Sequence, residues 1–311
     1  MLKVIFKYLV FAFLVAVAIA PAVAAKSDFE RTLDSLFVIA SSAEIKYQSM
    51  RDPAMNEIAA HGVNAVPYLI EKFATKSSWD RWTVIWIFQR IGSPAVPLLL
   101  EALKRPDDLV VQRVAWALGD IKDTSAVEGL MGVCRHTCWQ VRDEAVASLG
   151  RIGDRRASDT VIAALQDTIG QVRKSAVVSC GQLKAASAVE KLVSALGDEF
   201  YGARLTAVDA LLQLDTAEVI NVLVDSLGSS DAALGNMICR VLGKIGNEEA
   251  LTLLAEQLES PDSGRRIHAA MALTEADPED KCGFLKKYLE SETDRLSRQK
   301  IESALASRPS D

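Results

Sequence analysis

A chain of 311 residues that is half apolar and only 6% aromatic is long enough to bury a large core or to form an extended array. Its 17 glycines and 9 prolines exclude a collagen-like or low-complexity protein. The formal net charge of −6 argues against a nucleic-acid-binding protein, which normally carries a basic stripe, so no nucleic acid is expected as a partner.

The first 24 residues have the three parts of a secretory signal peptide. Lys3 and Lys7 make the start positive, residues 8–20 form an uncharged apolar run, and residues 22–24 supply a small-x-small cleavage motif. The apolar run is shorter than the ~20 residues of a membrane-spanning helix, so a permanent anchor is the weaker alternative. We expect the segment to be removed, which leaves no integral membrane segment and places the protein in a bacterial periplasm or outside the cell.

Residues 25–62 are predicted to form N-terminal capping helices. Leu33, Phe37 and Ala40 recur at helical spacing after Asp28, which indicates an amphipathic helix. Residues 51–61 have the pattern of the second helix of a degenerate first unit. Irregular terminal units are expected in a repeat protein, because an end unit has a neighbour on only one side.

From residue 63 onwards the chain repeats itself about every 31 residues. One apolar register position shows the period: Phe73, Leu103, Cys134, Leu165, Leu196, Leu227, Leu258 and Leu289. Within each unit the apolar residues are spaced as on two short amphipathic helices. A single helix pair cannot cover its own apolar stripe, so the units must stack. The predicted fold is all-α: a right-handed α-solenoid of about seven or eight two-helix units over residues 63–306, with a disordered tail at 307–311.

The predicted turns and helix contacts agree with this fold. Residues 62–67 and 92–97 share the turn Gly-x-x-Ala-Val-Pro, in which glycine ends one helix and proline enters the first turn of the next. Small residues recur where neighbouring second helices can approach closely: Ala117, Ser148, Ser179, Ala210 and Ala272.

The unit sequence at residues 95–121, and its copy at residues 159–183, resemble HEAT repeats of the short, phycobilisome-lyase-like kind. The resemblance covers residues 63–305. It implies a ladder of hydrogen-bonded aspartates and arginines between adjacent units, and therefore a structural role for six residues: Asp167, Arg173, Asp198, Arg204, Arg142 and Arg266.

The sequence offers no clear catalytic constellation. The three histidines are His61, His136 and His268, and none is paired at metal-ligand spacing. HEAT-like metal hydroxylases carry paired His-Glu motifs, which this chain lacks. No nucleophile elbow, phosphate-binding loop or dinucleotide fingerprint occurs. We therefore expect no catalysis, no metal and no cofactor.

Five cysteines are unusual for an exported protein and raise the question of disulfides. Four fall at core positions of the repeat and are predicted to be small buried hydrophobic residues: Cys134, Cys180, Cys239 and Cys282. Cys138 lies in a turn. Residues 134–138, which contain two cysteines and His136, leave open a metal triad, a local disulfide or a redox thiol.

All five tryptophans fall within residues 79–139. Trp86 and Trp116 hold the same position in consecutive units, and Trp82 lies one helical turn from Trp86. Clustered aromatic rings beside an arginine are typical of a binding hot spot. The predicted partner-binding residues are Trp82, Trp86, Arg90, Trp116 and Trp139. The alternative is that the N-terminal helices cover these rings and bury them as core.

The sequence thus predicts an exported HEAT-repeat scaffold that binds a protein, peptide or envelope component on the concave face formed by its second helices. A purely structural role inside a larger envelope complex is equally compatible with the sequence. Another alternative is a lyase- or chaperone-like module that handles a tetrapyrrole or other planar ligand. The resemblance to bilin lyases implies this alternative, and tryptophan rings can stack on a planar ligand. A shared fold does not by itself determine function.

Overall fold

The computed structural model describes residues 26–228, 231–276 and 283–306. These residues belong to two units, which meet in sequence between Ile58 and Ala59. The predicted signal peptide, the predicted tail and Cys282 lie outside the described residues. Each unit is described by itself below.

The first unit contains helix α1 (Asp28–Ala40), a 3-10 helix (Ile45–Met50) and most of helix α2 (Arg51–Ala60). Ser27 begins α1 with a capping box. The Ser27 hydroxyl accepts a hydrogen bond from the backbone N–H of Glu30, and the Glu30 carboxylate accepts one from the N–H of Ser27. The apolar side of α1 is buried, as its spacing predicts.

The described residues of the second unit form an array of eight helix pairs. The first helices are α3 (Val66–Lys72), α5 (Val96–Ala102), α7 (Val127–Val133), α9 (Ser158–Ala164), α11 (Val189–Ala195), α13 (Thr216–Leu227), α15 (Glu248–Gln257) and α17 (Phe284–Ser291). The second helices are α4 (Ser78–Ile91), α6 (Asp108–Ile121), α8 (Trp139–Ile152), α10 (Gly170–Gln182), α12 (Tyr201–Leu211), α14 (Ala232–Ile245), α16 (Ser263–Ala276) and α18 (Arg295–Ala306). The described residues contain no strand, which confirms the predicted all-α solenoid.

The second helices form the tighter layer of this array. Over α6, α8, α10 and α12, consecutive second helices pack much more closely than consecutive first helices do. A stack that is tighter on one side curves toward that side, so the second helices line the concave side of the second unit. This arrangement agrees with the concave face predicted from the repeat.

Small residues permit the close approach, as the sequence predicts. A Cβ atom added at Gly119 would lie 2.6 Å from the Cβ of Ser148, and one added at Gly150 would lie 2.7 Å from the Cβ of Ser179. Both distances are shorter than any real contact of a Cβ atom. Glycine on one helix and serine on the next therefore let the two backbones meet without displacement.

Several second helices in the array end with left-handed backbone at one register position. Gly92, Gly153 and Gly246 occupy it with φ of 70°, 77° and 61°. Lysine occupies the same position twice, at Lys122 (φ 60°) and Lys184 (φ 49°). A side chain disfavours this conformation, so the two lysines are strained where glycine would not be.

No single helix within the described ranges has both the length and the apolar composition to cross a membrane. The segments Ser78–Ile91 and Ser93–Ala102 meet those criteria only when taken together, and the chain bends by 108° between them.

Lys122→Gly should stabilise the protein. Glycine removes the strain of left-handed backbone at the end of α6, although it also increases the entropy of the unfolded chain, so we expect a net gain of about 0.5–1 kcal/mol. The measurement is the free energy of unfolding by urea. Lys122→Ala is the matched control and should give no gain, because alanine keeps the Cβ atom. Lys191→Gly, in the interior of α11, should lose about 1 kcal/mol. Equal stability of the glycine and alanine variants at residue 122 would contradict the strain.

Candidate binding surface

Four tryptophan rings meet on the second helices of the first two pairs. Trp79, Trp82 and Trp86 lie on α4, and Trp116 lies on α6. The ring centroid of Trp82 is 4.6 Å from that of Trp116, with the planes at 85°, and 6.0 Å from that of Trp86. Trp79 stands edge-on to Trp86 at 5.8 Å. Such edge-to-face contacts are favoured by the ring quadrupoles. We call these four residues the tryptophan cluster.

The tryptophan cluster is partly open to solvent. Trp82 is 44% exposed and Trp79 is 38% exposed, while Trp86 and Trp116 are half-buried. The core side of α4 is formed instead by fully buried aliphatic and phenyl side chains, among them Ile85. Within the second unit the rings therefore lie outside the core on which α4 packs.

Two of the predicted surface residues behave differently from the tryptophans of the cluster. Trp139 is 37% exposed, but it is the first residue of α8, and its ring lies outside the ring contacts found in the described part of the chain. Arg90 donates a hydrogen bond from Nη1 to the carbonyl oxygen of Trp86 at 3.0 Å. The structure thus joins Trp82, Trp86 and Trp116, adds Trp79, and leaves Trp139 apart.

Asp120 ties the tryptophan cluster to the neighbouring helices. The Trp116 side chain lies one turn earlier on α6 and acts against the effect of burial by lowering the pKa of the Asp120 carboxyl. Gln89 on α4 donates from Nε2 to Asp120 Oδ2 at 3.2 Å. Arg151 on α8 places its Nε 3.2 Å from Asp120 Oδ1. One carboxylate beside Trp116 therefore links three consecutive second helices.

Arg151 extends this network along α8. Its Nη2 donates to Glu144 Oε1 at 2.5 Å and to Ser148 Oγ at 2.7 Å. The Ser148 hydroxyl in turn donates to the carbonyl oxygen of Ala115 on α6 at 2.8 Å. A third carboxylate, Asp143, accepts a hydrogen bond from the Ser175 hydroxyl at 2.6 Å. We call Asp120, Asp143 and Glu144 the acidic strip.

Burial raises the pKa of all three carboxyls of the acidic strip, because neighbouring protein displaces the water that stabilises their charge. The Arg151 guanidinium offsets part of this increase in the pKa of Asp120 and Glu144, and the Ser175 hydroxyl does so for Asp143. The side chains of Asp120 and Glu144 are only 16% and 20% exposed. The carboxylates of the strip are therefore poorly hydrated, which destabilises their charged form.

Repeat reasoning places Asp120, Asp143 and Arg151 at solvent-facing positions of the second helices but gives no hint of Glu144. The position of Glu144 is occupied by Arg113 one unit earlier, so no series in the repeat marks it. The only available signal is local: Glu144 lies seven residues before Arg151 on one helix, close to two full turns.

The predicted ladder is present at two consecutive steps. Arg142 on α8 donates from Nε and Nη2 to the two carboxylate oxygens of Asp167, at 2.7 and 2.9 Å. Arg173 on α10 makes the same paired contact with Asp198, at 2.7 and 2.7 Å. Each arginine also donates from Nη1 to a carbonyl oxygen in the turn of its own unit. One side chain therefore fastens two successive turns with geometry that suits guanidinium and carboxylate.

The other two predicted ladder arginines depart from this pattern. Arg266 on α16 pairs with Glu292 at 2.9 Å, so glutamate takes the place of aspartate. Arg204 on α12 keeps the contact with its own turn, donating to the carbonyl oxygen of Asp198 at 2.5 Å. The residue 25 positions after Arg204, where the two regular steps have aspartate, is Ser229, which lies outside the described residues.

Burial alone would raise the pKa of Asp167 and Asp198, but hydrogen bonds from the paired arginine and from a backbone N–H outweigh it. The pKa of both carboxyls is therefore below the ordinary value. In the acidic strip the pKa of each carboxyl is raised instead, because its hydrogen-bond donors and neighbouring cations do not outweigh burial.

The described cysteines are all free. Cys134, Cys180 and Cys239 are buried, as predicted, and burial raises the pKa of each thiol to about 12. Cys138 is half-buried, and its thiol donates to Gln140 Oε1 at 3.0 Å. Among the described residues no three His, Cys, Asp or Glu side chains are grouped to hold a metal ion, so residues 134–138 form neither a metal triad nor a disulfide.

A cavity of about 360 Å³ opens between α7 and α9, on the first-helix side of the array. Cys134, Arg135 and Asp159 line it beside the Arg142–Asp167 pair. The guanidinium and the carboxylate of that pair are hydrogen-bonded to each other, so we assign no functional role to the cavity.

The stacked helix pairs and their ladder define an α-solenoid repeat protein. The sequence profile described as HEAT repeats matches five overlapping segments, residues 66–137, 96–178, 127–204, 159–235 and 227–306. Together they span residues 66–306, well over half of the chain. The chain belongs to the HEAT-repeat family, which confirms the predicted resemblance.

Several solved structures are similar to this chain. Human deoxyhypusine hydroxylase in complex with glycerol is 21% identical, with a TM-score of 0.35 over 78% of this chain and 95% of that one. The CpcE–CpcF complex of phycocyanin lyase from Nostoc sp. PCC7120 is 20% identical, with a TM-score of 0.42 over 78% and 94%. YibA of Escherichia coli is 17% identical, with a TM-score of 0.49 over 86% and 98%. No curated protein matches the sequence.

Asp167→Asn should destabilise the protein in a pH-dependent way. It removes the charge from a pair whose side chains are only 15% and 12% exposed, so we expect a loss of about 1–3 kcal/mol at pH 7. The folded pKa of Asp167 lies below its unfolded value of about 4, so its contribution is complete above that value and disappears as pH falls through the folded pKa. The difference between wild type and variant should shrink accordingly.

Urea unfolding between pH 7 and pH 3 measures this difference. Asp225→Asn, on the exposed side of α13, is the matched control and should change stability by less than about 0.5 kcal/mol. A deficit of the Asp167 variant that stayed constant down to pH 3 would show that the carboxylate charge is not its source.

Proposed function

We propose that this HEAT-repeat protein is an exported scaffold that binds a protein or peptide partner on its second-helix layer, with the tryptophan cluster as the central contact. The proposal assigns no reaction, cofactor or metal to the chain. The observation that carries it is the cluster itself: four contacting indole rings, two of them more than a third exposed, on one face of the array. Tryptophan is among the residues most enriched where binding energy concentrates.

The network beneath the rings supports a binding role. Trp116 packs edge-to-face against Trp82, and the Asp120 carboxylate beside it is contacted by Gln89 and Arg151. Rings that are fixed before a partner arrives lose little conformational freedom when it binds, so more of the contact energy remains for affinity. Packing of Trp82 against both Trp86 and Trp116 has the same effect on the most exposed ring.

Export is supported by the first 24 residues, whose charge, apolar run and cleavage motif are those of a secretory signal peptide. The partner is then a component of the periplasm, the envelope or the extracellular medium. Because the chain has an acidic balance, a nucleic acid is not proposed as a partner.

Trp82→Ala should abolish capture of the partner. Truncation of a central tryptophan at an interface costs at least about 2 kcal/mol, which is roughly a thirtyfold loss of affinity. The measurement is quantitative mass spectrometry of proteins recovered by immobilised wild type and variant from the envelope fraction of the native cell. Trp139→Ala is the matched control, since it removes a ring of similar exposure outside the cluster. Equal recovery of every wild-type-specific partner by the Trp82 variant would refute the proposed surface.

Cleavage of the signal peptide should expose Ala25 as the first residue of the mature chain. The measurement is the intact mass of a C-terminally tagged protein recovered from the periplasmic fraction of a Gram-negative host. The paired change Ala22→Asp with Ala24→Asp should block cleavage, because signal peptidase requires small residues at these positions, and should leave the precursor membrane-bound. Lys26→Ala, beyond the cleavage site, is the control and should be processed normally. A full-length wild-type chain in the cytoplasmic fraction would overturn export.

A further inference from the structure

We infer that the partner presents a basic segment to this surface, with an arginine or lysine side chain lying against the tryptophan cluster and its charged group turned toward the acidic strip. This inference rests on the proposed function and adds the chemical class of the occupant.

The rings favour a cation as well as an apolar group. The face of an indole attracts ammonium and guanidinium groups through its quadrupole, and tryptophan does so more strongly than the other aromatic residues. Trp82 and Trp116 have their planes at 85°, so their faces point in two directions within one small area. The aliphatic stem of an arginine or lysine can cover one ring while the charged end remains near another.

The charges of the acidic strip favour a cation over an anion. Asp120 and Glu144 share the single guanidinium of Arg151, and the hydrogen-bond donor on Asp143 is the uncharged Ser175 hydroxyl. Lys122 and Lys174 act on the strip only at longer range, and Lys122 is exposed to water that screens it. A positive group next to the strip would stabilise the negative charge of the carboxylates and so compensate for the hydration that they lose on burial. A negative group would add repulsion.

The register places rings and carboxylates in a row that one segment can follow. Trp82, Gln112 and Asp143 hold the same position on α4, α6 and α8, and Trp86, Trp116 and Ala147 hold the position one turn later. Neighbouring packed helices are roughly 8–10 Å apart, about the length of three extended residues. An extended segment that crosses these helices therefore meets indole rings first and the carboxylate of Asp143 next. The small side chain of Ala147 leaves room beside that carboxylate.

The test compares synthetic peptides on the mature full chain. One is a Gly-Ser peptide that carries arginines, and the other has glutamate at the same positions. Binding is followed by tryptophan fluorescence and by calorimetry at low and at high salt. We expect the arginine peptide to bind at least about tenfold more tightly than the glutamate peptide, and we expect added salt to weaken it.

Two variants test whether the predicted groups are responsible. Asp143→Asn removes one negative charge but can still accept the Ser175 hydrogen bond. It should lower the affinity for the arginine peptide about five- to tenfold. Asp225→Asn removes a charge on exposed α13 and should change nothing. Trp82→Ala should lower the affinity for the arginine peptide by a similar factor or more.

The failure of this inference is distinct from the failure of the proposed function. Equal binding of the two peptides, tighter binding of the glutamate peptide, absence of arginine-peptide binding, or an effect of Asp225→Asn equal to that of Asp143→Asn overturns the basic-segment inference. The proposed function falls only if Trp82→Ala leaves capture of the native partner unchanged.

Discussion

The close approach of the second helices is the contact on which the other features of the array depend. It requires glycine on one helix opposite a small residue on the next, as at Gly150 and Ser179. Because the backbones meet there, the second-helix layer is tighter than the first-helix layer, and the array curves. The same proximity lets the side chain of Arg151 on α8 reach across to Asp120 on α6. The packing that holds these units together therefore also places the charged groups beside the tryptophan cluster.

Carboxylates serve two different purposes in this molecule. In the turns, Asp167 and Asp198 each receive a paired guanidinium and a backbone N–H, and their pKa falls below the ordinary value. On the second-helix layer, Asp120, Asp143 and Glu144 are desolvated with fewer charged donors, and their pKa rises. The first arrangement is electrostatically complete and holds the units together. The second is electrostatically incomplete, because burial is offset by fewer charged donors.

The repeat register predicts most of the fold, because each apolar or small residue that returns every 31 positions performs the same packing task. It also predicts the buried thiols of Cys180 and Cys239, while the resemblance to HEAT repeats implies the ladder to which Arg142 and Asp167 belong. The surface is less accessible to such reasoning. Trp79 joins the rings and Trp139 does not, because ring contacts depend on side-chain rotamers and helix rotation rather than on register. Glu144 is not predicted because arginine occupies its register position one unit earlier, so the position does not recur.

The ladder and the glycine–serine contacts also affect how a chain of this kind can change its length in evolution. The pair α7–α8 and the pair α9–α10 present equivalent joints, since Arg142 and Arg173 make the same contacts and Ser148 and Ser179 each meet a glycine of the preceding second helix. A duplicated pair inserted there would find matching neighbours on both sides. These joints lie after the tryptophan cluster in the chain. Duplication can therefore lengthen the second-helix layer beyond the acidic strip while the tryptophan cluster remains unaltered.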